Sequence, residues 1–446
     1  MEWTVDQVLQ LAPDPASAKA GKTLALARKW SSLGRTERAA WGECQGSGKA
    51  AYQTRIDLNE PAFKCSCPSR KFPCKHALGL FLLLVNQPEL FAQLAPPAWV
   101  SDWLEGRQKR AEQRAGRKPR AEGVSDEKAQ AKRAAERESK VSLGLDDLDL
   151  WLRDLVRQGL AWAQTQRPKF WETAAARMED AQAPGLARML QELPGVYSSG
   201  EGWQDRLLER LGRLHLLVEA YKRLDRLPEA VQADLRSAIG WTQSQDDLLA
   251  GPGVSDCWLV LGQRVEIEKK LQAQRTWLWG QLGGRAALVW QFAYGKQALD
   301  TSLVPGTALE AELAFYPSAY PLRALVKARQ AVISQMDVTG GYETIAAAVE
   351  AYTVALSHNP WIRQFPWLLQ NVVVTQQPGD RYGACDRAGH LVDLSPQFTH
   401  TYFDYGRGGW VLLALSGGQP LSLFGEWDGS SLLPLSAWAD GRFVNF

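Results

Sequence analysis

Residues 63–85 read FKCSCPSRKFPCKHALGLFLLLV, and the three cysteines and one histidine in this stretch decide how the first part of the chain is read. Cys65 and Cys67 close an extended segment with alternating polar residues, AYQTRIDLNEPAFK over 51–64. Two positions apart on a strand, their sulfurs face the same way. Cys74 and His76 come after the loop PSRKFP, again two apart, and open an apolar run of helical character. One extended pair and one pair at a helix start supply the four soft or borderline donors that tetrahedral zinc takes. The spacing C-x-C-x6-C-x-H leaves no coordination position open, so one structural Zn2+ is expected rather than a catalytic one. Pro68 and Pro73 restrict the loop, which reduces the entropy lost when the site closes. Lys64, Arg70, Lys71 and Lys75 surround donors whose zinc complex carries about −1 formal charge, and the positive end of the helix faces the same thiolates.

Two other readings compete with zinc. Ordinary structural cysteines beside a surface histidine would not place three of the six cysteines within ten residues. A redox pair at Cys65 and Cys67 would need neither Cys74 nor His76, and such pairs usually sit at a helix start. Cys44, Cys257 and Cys385 are read as bystanders, with Cys44 in a turn near the zinc.

Working outward, the chain has 446 residues, 45% hydrophobic and 22% charged, enough for two to four domains and too apolar for wholesale disorder. Its longest apolar run, Ala77 to Val85, falls short of a membrane span, and its first residues lack a basic-then-apolar leader pattern. A cytoplasmic protein that does not contact the membrane is expected. Six cysteines in so long a chain do not make a disulfide scaffold. The net charge of +2 conceals a gradient: residues 1–104 carry 12 Lys/Arg against 9 Asp/Glu, residues 105–140 carry 12 against 7, and residues 141–446 carry 27 against 33. An anionic partner would approach the first third.

Glu105 to Lys140 has Val124 as its one large apolar residue and reads as a basic, solvated linker, with Pro119 and Gly123 interrupting transient helix. Beyond it, Asp146 and Asp147 precede Leu148, Trp151, Leu152, Leu155 and Val156, the spacing of a half-buried helix with an acidic start. A longer helix follows through Trp203, Leu207, Leu211, Leu214, Val218 and Tyr221 and stops before Pro228. From Cys257 onward, short runs rich in Val, Leu and aromatic residues read as strands. One helix, within residues 341–360, interrupts them, and hairpins with Gly-Gly and Asp-Gly turns follow, including GWVLLALSGGQPLSLFGEWDG. The expected architecture is an α+β multidomain chain: a zinc-binding module over 1–104, a basic linker over 105–142, a helical domain over 143–240, and a mostly antiparallel α+β C-terminal domain over 241–446.

The pattern C-x-C-x(n)-C-x-H before an apolar helix, with WGECQGSG, YQTRIDL and FKCSCPSRKFPCKH around it, resembles the SWIM zinc finger of bacterial SWIM-domain proteins. The resemblance covers residues 40–85. It implies a small ββα unit with Cys65, Cys67, Cys74 and His76 as zinc ligands, and a role in DNA binding or protein–protein interaction. It also implies a MoxR-type ATPase or a von Willebrand factor A protein as a candidate partner. No catalytic domain is recognisable beside the finger, so a non-enzymatic protein is expected. Lys64, Arg70, Lys71 and Lys75 are the candidate nucleic-acid contacts, with a protein adaptor as the alternative.

Other motifs carry less. GSGKA at 46–50 lacks the first glycine and the Ser/Thr of a phosphate loop and reads as a turn. His215 is expected on the apolar side of its helix, and His358 at a helix end. His390 and His400 fall in loops near Asp386, Asp393 and Asp404, where turn chemistry explains the aspartates. Asp246 and Asp247 read as a turn or helix start, and Glu266 and Glu268 as a solvated strand face. An enzyme hidden in 241–446 has no motif in its favour.

Overall fold

A computed structural model describes residues 3–13, 15–45, 51–58, 62–69, 71–115, 124–197, 200, 202–268, 271–294, 299–300, 302–333, 340–379, 381–401 and 408–446. The zinc-module region contains α1 (Val5–Gln10), α2 (Pro15–Leu24), β1 (Trp30–Arg35), β2 (Ala39–Cys44), β3 (Tyr52–Asp57), β4 (Ala62–Cys65), α3 (Lys75–Asn86), β5 (Ala92–Gln93) and α4 (Ala98–Ala115). The strands form one sheet in the order β4-β3-β2-β1-β5. The ββα unit, β3, β4 and α3, is thus embedded in a larger sheet. Helix α3 is buried from His76 to Leu84 because one side meets Ile56 and Phe63 of the sheet and the other meets α1 and α2. Its close crossing with α2 requires glycine on both helices: a Cβ at Gly21 would lie 2.8 Å from Leu78 Cβ, and one at Gly79 would lie 2.7 Å from Leu24 Cβ. The sheet's other face is covered by α4, where Trp41 packs with Val100, Trp103 and Leu104. The Arg55 guanidinium lies over the Trp99 and Trp103 rings, 5.1 and 5.7 Å from their centres.

The segment read as a linker is entered by helix from both sides, by α4 and by α5 (Val124–Gln158). Its Ala, Glu, Lys and Arg content favours helix without demanding burial, and residues 132–136 are helical and exposed. Both ends are tied down. Arg107 donates to Asp57 at 3.2 Å, and Arg38 to Gln108 at 3.3 Å. Arg137 stacks on Trp241 at 4.7 Å and donates to the Gly240 carbonyl at 3.1 Å. Asp146 and Asp147 therefore sit inside α5, on its exposed side, and do not start it.

With α5 pack α6 (Leu160–Gln164), α7 (Pro168–Asp180), α8 (Pro184–Val196), α9 (Trp203–Tyr221) and α10 (Glu229–Ile239). Their core is largely leucine, including Leu148, Leu152, Leu190, Leu207, Leu211 and Leu214. Short α11 (Gln245–Ala250), capped by Ser244 and with Asp246 and Asp247 in its first turn, leads into the C-terminal part.

That part comprises two packed units. The first is a closed five-stranded barrel of β6 (Val254–Glu268), β7 (Leu271–Gly280), β8 (Ala286–Tyr294), β9 (Ala308–Phe315) and β10 (Arg323–Ile333). The second is a sheet whose flanking helices are α12 (Ile345–His358), α13 (Pro396–Thr401) and α14 (Gly408–Ser416). Its strands are β11 (Phe365–Gln377), β12 (Arg381–Cys385), β13 (Leu391–Asp393), β14 (Leu421–Trp427), β15 (Leu432–Ala439) and β16 (Arg442–Asn445). The two units join through Trp277, Leu368, Phe424 and Leu435. Buried Glu426 fixes the joint by accepting from Arg275 at 3.1 Å and from the Trp277 indole at 2.8 Å. GGWVLLALS, expected in a hairpin, is α14 instead, because a short continuous apolar run does not distinguish strand from helix. The Asp428-Gly429 turn between β14 and β15 is formed as expected.

Candidate metal centre

The register between β3 and β4 places Thr54 opposite Cys65, and Cys67 follows directly beyond the strand end. Cys74 is the extended N-cap residue of α3, and His76 lies in that helix's first turn. Sγ of Cys65, Cys67 and Cys74 and a ring nitrogen of His76 all lie within 4.8 Å of one another. His76 Nδ1 is 3.8 Å from Cys65 Sγ and 4.0 Å from Cys74 Sγ. Tetrahedral zinc, with bonds of about 2.3 Å to sulfur and 2.0–2.1 Å to nitrogen, sets neighbouring donors about 3.6–3.8 Å apart. The donor set therefore fits zinc in chemistry and spacing. Cys65, Cys67, Cys74 and His76 would hold the ion with no open position, making it a structural zinc.

Hydrogen-bond donors around the sulfurs favour thiolates, and burial opposes them. The Thr54 hydroxyl, fully buried, is 3.2 Å from Cys65 Sγ. Backbone N–H groups of Cys67, Ser69 and Ala77 point at the sulfurs of Cys65, Cys67 and Cys74 respectively. The hydrogen bond from Cys74, helped by His76 and Thr54, holds the Cys65 thiol down at about 3 against the opposing effect of burial. That same hydrogen bond, with burial, pushes Cys74 up. Burial also raises Cys67. Zinc binding would displace whatever thiol protons the three cysteines carry. The Tyr52 ring, centred 4.9 Å from the imidazole of His76, covers the site's flank.

Lys64, Lys71 and Lys75 are exposed, Lys64 on the face of β4 opposite Cys65; Arg70 lies outside the described residues. Cys44 is not in a turn but ends β2, buried in the module core. Burial first, and the neighbouring Cys65 second, raise its thiol, and it is not one of the four clustered donors. Cys257 and Cys385 are half-buried in the C-terminal part. Residues 46–50, the expected turn, are outside the described residues.

A second cluster was missed in the sequence. His215 is exposed, about 100° around α9 from the buried Leu214, and its Nδ1 lies 3.5 Å from Asp149 on α5, with Glu219 one turn on. Here Lys222 supplies the cation: its Nζ donates to Asp149 at 2.7 Å and to Glu219 at 2.9 Å, and Arg153 adds a second contact to Asp149 at 2.8 Å. The hydrogen bond from Lys222 holds the Asp149 carboxyl below its usual range. The cluster is an ion-pair network joining two helices. His358 caps α12 by bonding the Val354 carbonyl oxygen at 2.9 Å. Asp386 accepts from the backbone N–H groups of Ile345, Ala388 and His390, so it organises a loop as turn chemistry expects. Glu266 is exposed yet paired with Arg264 and Arg275.

No helix among the described residues is long and apolar enough to cross a membrane. No curated protein and no solved structure matches the chain. Family comparison matches residues 55–84 to the SWIM zinc finger and residues 136–239 to the SWIM-associated four-helix bundle domain. The first stretch spans β3 to α3 with all four donors, and the second spans the leucine-rich bundle. The chain thus carries a SWIM zinc finger together with a SWIM-associated four-helix bundle.

Proposed function

We propose that the chain is a non-enzymatic, zinc-scaffolded binding protein whose finger contacts DNA. The observation that carries this reading is the pair of exposed cations that the ligand loop and α3 supply next to the donors, Lys71 and Lys75, with exposed Lys64 adjoining Cys65 on β4 but on the sheet's other face. The basic stretch 105–140, helical where described, adds 12 Lys/Arg against 7 Asp/Glu next to the module in sequence. The ion orders the chain and presents the cations; its closed shell leaves no site for substrate.

Duplex DNA affinity should fall steeply with salt, and Lys64→Glu, Lys71→Glu and Lys75→Glu together should weaken binding and flatten that slope. Fluorescence anisotropy with a labelled duplex measures both. Absence of duplex binding at low salt would sink the DNA reading and leave the protein-adaptor role. The adaptor reading is supported by the acidic balance of residues 141–446, 27 Lys/Arg against 33 Asp/Glu, which suits a protein better than a polyanion. A MoxR-type ATPase and a von Willebrand factor A protein are the candidates there.

A further inference from the structure

The barrel has its own binding-surface signature. Its strands close in the order β6-β7-β8-β10-β9, with β8 and β10 parallel and the other neighbours antiparallel. This is the Greek-key connectivity of an OB-type barrel, a fold whose second and third strands form the ligand-binding face. Those strands are β7 and β8. Side chains alternate along β8, so Val289 and Ala293 point into the barrel while Trp290, Phe292 and Tyr294 line up outside. Phe292 is 48% and Tyr294 63% exposed, and the Trp290 and Phe292 rings are 5.2 Å apart. The rest of this face does not share that exposure, since Trp277 of β7 is buried against the C-terminal sheet.

Charge on the barrel is segregated. Strands β7, β8 and β10 contain four cations, Arg275, Arg323, Lys327 and Arg329, and no Asp or Glu. Arg275, Lys327 and Arg329 are neutralised by Glu426, Glu312 and Asp300. Arg323 has no carboxylate partner among the described residues; its guanidinium lies 5.7 Å from the Trp290 ring and 4.5 Å from the Tyr316 ring. Two exposed aromatic rings, joined through half-buried Trp290 to an arginine with no carboxylate partner among the described residues, match what single-stranded nucleic acid needs: flat faces for unpaired bases and positive charge for the backbone.

We propose that the outer face of β8, with Phe292 and Tyr294 as stacking platforms and Arg323 as the phosphate contact, binds single-stranded nucleic acid. The proposal extends the nucleic-acid reading of the chain to a surface separate from the zinc finger. The probe is a fluorescein-labelled dT oligomer of about 15 nucleotides, within the range one such barrel accommodates, titrated by anisotropy into the zinc-loaded full chain, with a duplex of equal length in parallel. Phe292→Ala combined with Tyr294→Ala is expected to weaken binding of the single strand about tenfold or more and leave the duplex unaffected. Phe292→Trp should bind the single strand as the native chain does, and Arg323→Glu should weaken it and lower its salt dependence. An unchanged thermal transition confirms that the exposed-residue variants fold. Failure of the native chain to bind the single strand at low salt overturns the proposal. So does an aromatic double variant within about twofold of native. If in that case the lysine variants of the finger still lose duplex binding, the finger reading stands without the barrel. If the aromatic variants lose the single strand while the finger variants change nothing, the barrel stands without the finger.

Discussion

The zinc module and the helical bundle hold themselves together in different ways. In the module, the loop between the two ligand pairs exposes Pro68, Ser69, Lys71 and Phe72, so little apolar packing fixes it. Four donors drawn from a strand end, that loop and a helix start take over the task. In the bundle, α5, α7, α8, α9 and α10 all contribute buried side chains to one core, and its polar cluster at Asp149 lies on the rim. The difference teaches where each unit is vulnerable: the first to loss of one ligand atom, the second to loss of packed volume.

The largest effect expected from this contrast follows metal removal. Chelation, or Cys65→Ala, should unfold the module, since structural zinc contributes on the order of 10 kcal/mol to domains of this kind. Calorimetry should show the module's transition disappear and the bundle's remain. Next comes Leu207→Ala, which opens a cavity at a fully buried position of α9 and should lower bundle stability by about 2–5 kcal/mol without changing zinc content. If it instead released zinc, the two units would not be independent. Thr54→Val keeps the shape of the side chain and removes the hydroxyl beside Cys65; zinc affinity, read by competition with a chelating dye, should fall about tenfold or more.

The smallest effect concerns pH. Because Lys222 holds the Asp149 carboxyl below its usual range, its contribution is fully present above the unfolded value of about 3.9 and is lost as pH falls through the lower folded value. Asp149→Asn should remove that acid dependence from the bundle's thermal transition and destabilise it by about 1 kcal/mol or less at neutral pH. A variant as acid-sensitive as the native chain would remove Asp149 from the account.

The metal centre was the most legible feature in the sequence, because zinc chemistry limits donor type and spacing within twelve positions. The spacing alone places Cys65, Cys67, Cys74 and His76 on one strand end and one helix start, where they are found. Thr54 was not legible as a partner, since its place beside Cys65 depends on the strand register. The bundle's leucine periodicity was readable, but not the length of α5: exposed Ala, Glu, Lys and Arg residues are equally compatible with helix and solvated coil. His215 was misplaced because it sits at the margin of the apolar stripe, where sequence spacing leaves its facing ambiguous. The barrel was the least legible. Alternation marked its strands, whereas closure and the parallel β8–β10 pair depend on contacts between distant segments.

The central claim is that one structural zinc ion, held by Cys65, Cys67, Cys74 and His76, organises the first module. Elemental analysis of the purified full chain, native and Cys65→Ala, tests it most directly. The account predicts one zinc per native chain and less than about 0.5 in the variant. A native chain below about 0.5, or a variant that keeps its full complement, would contradict it.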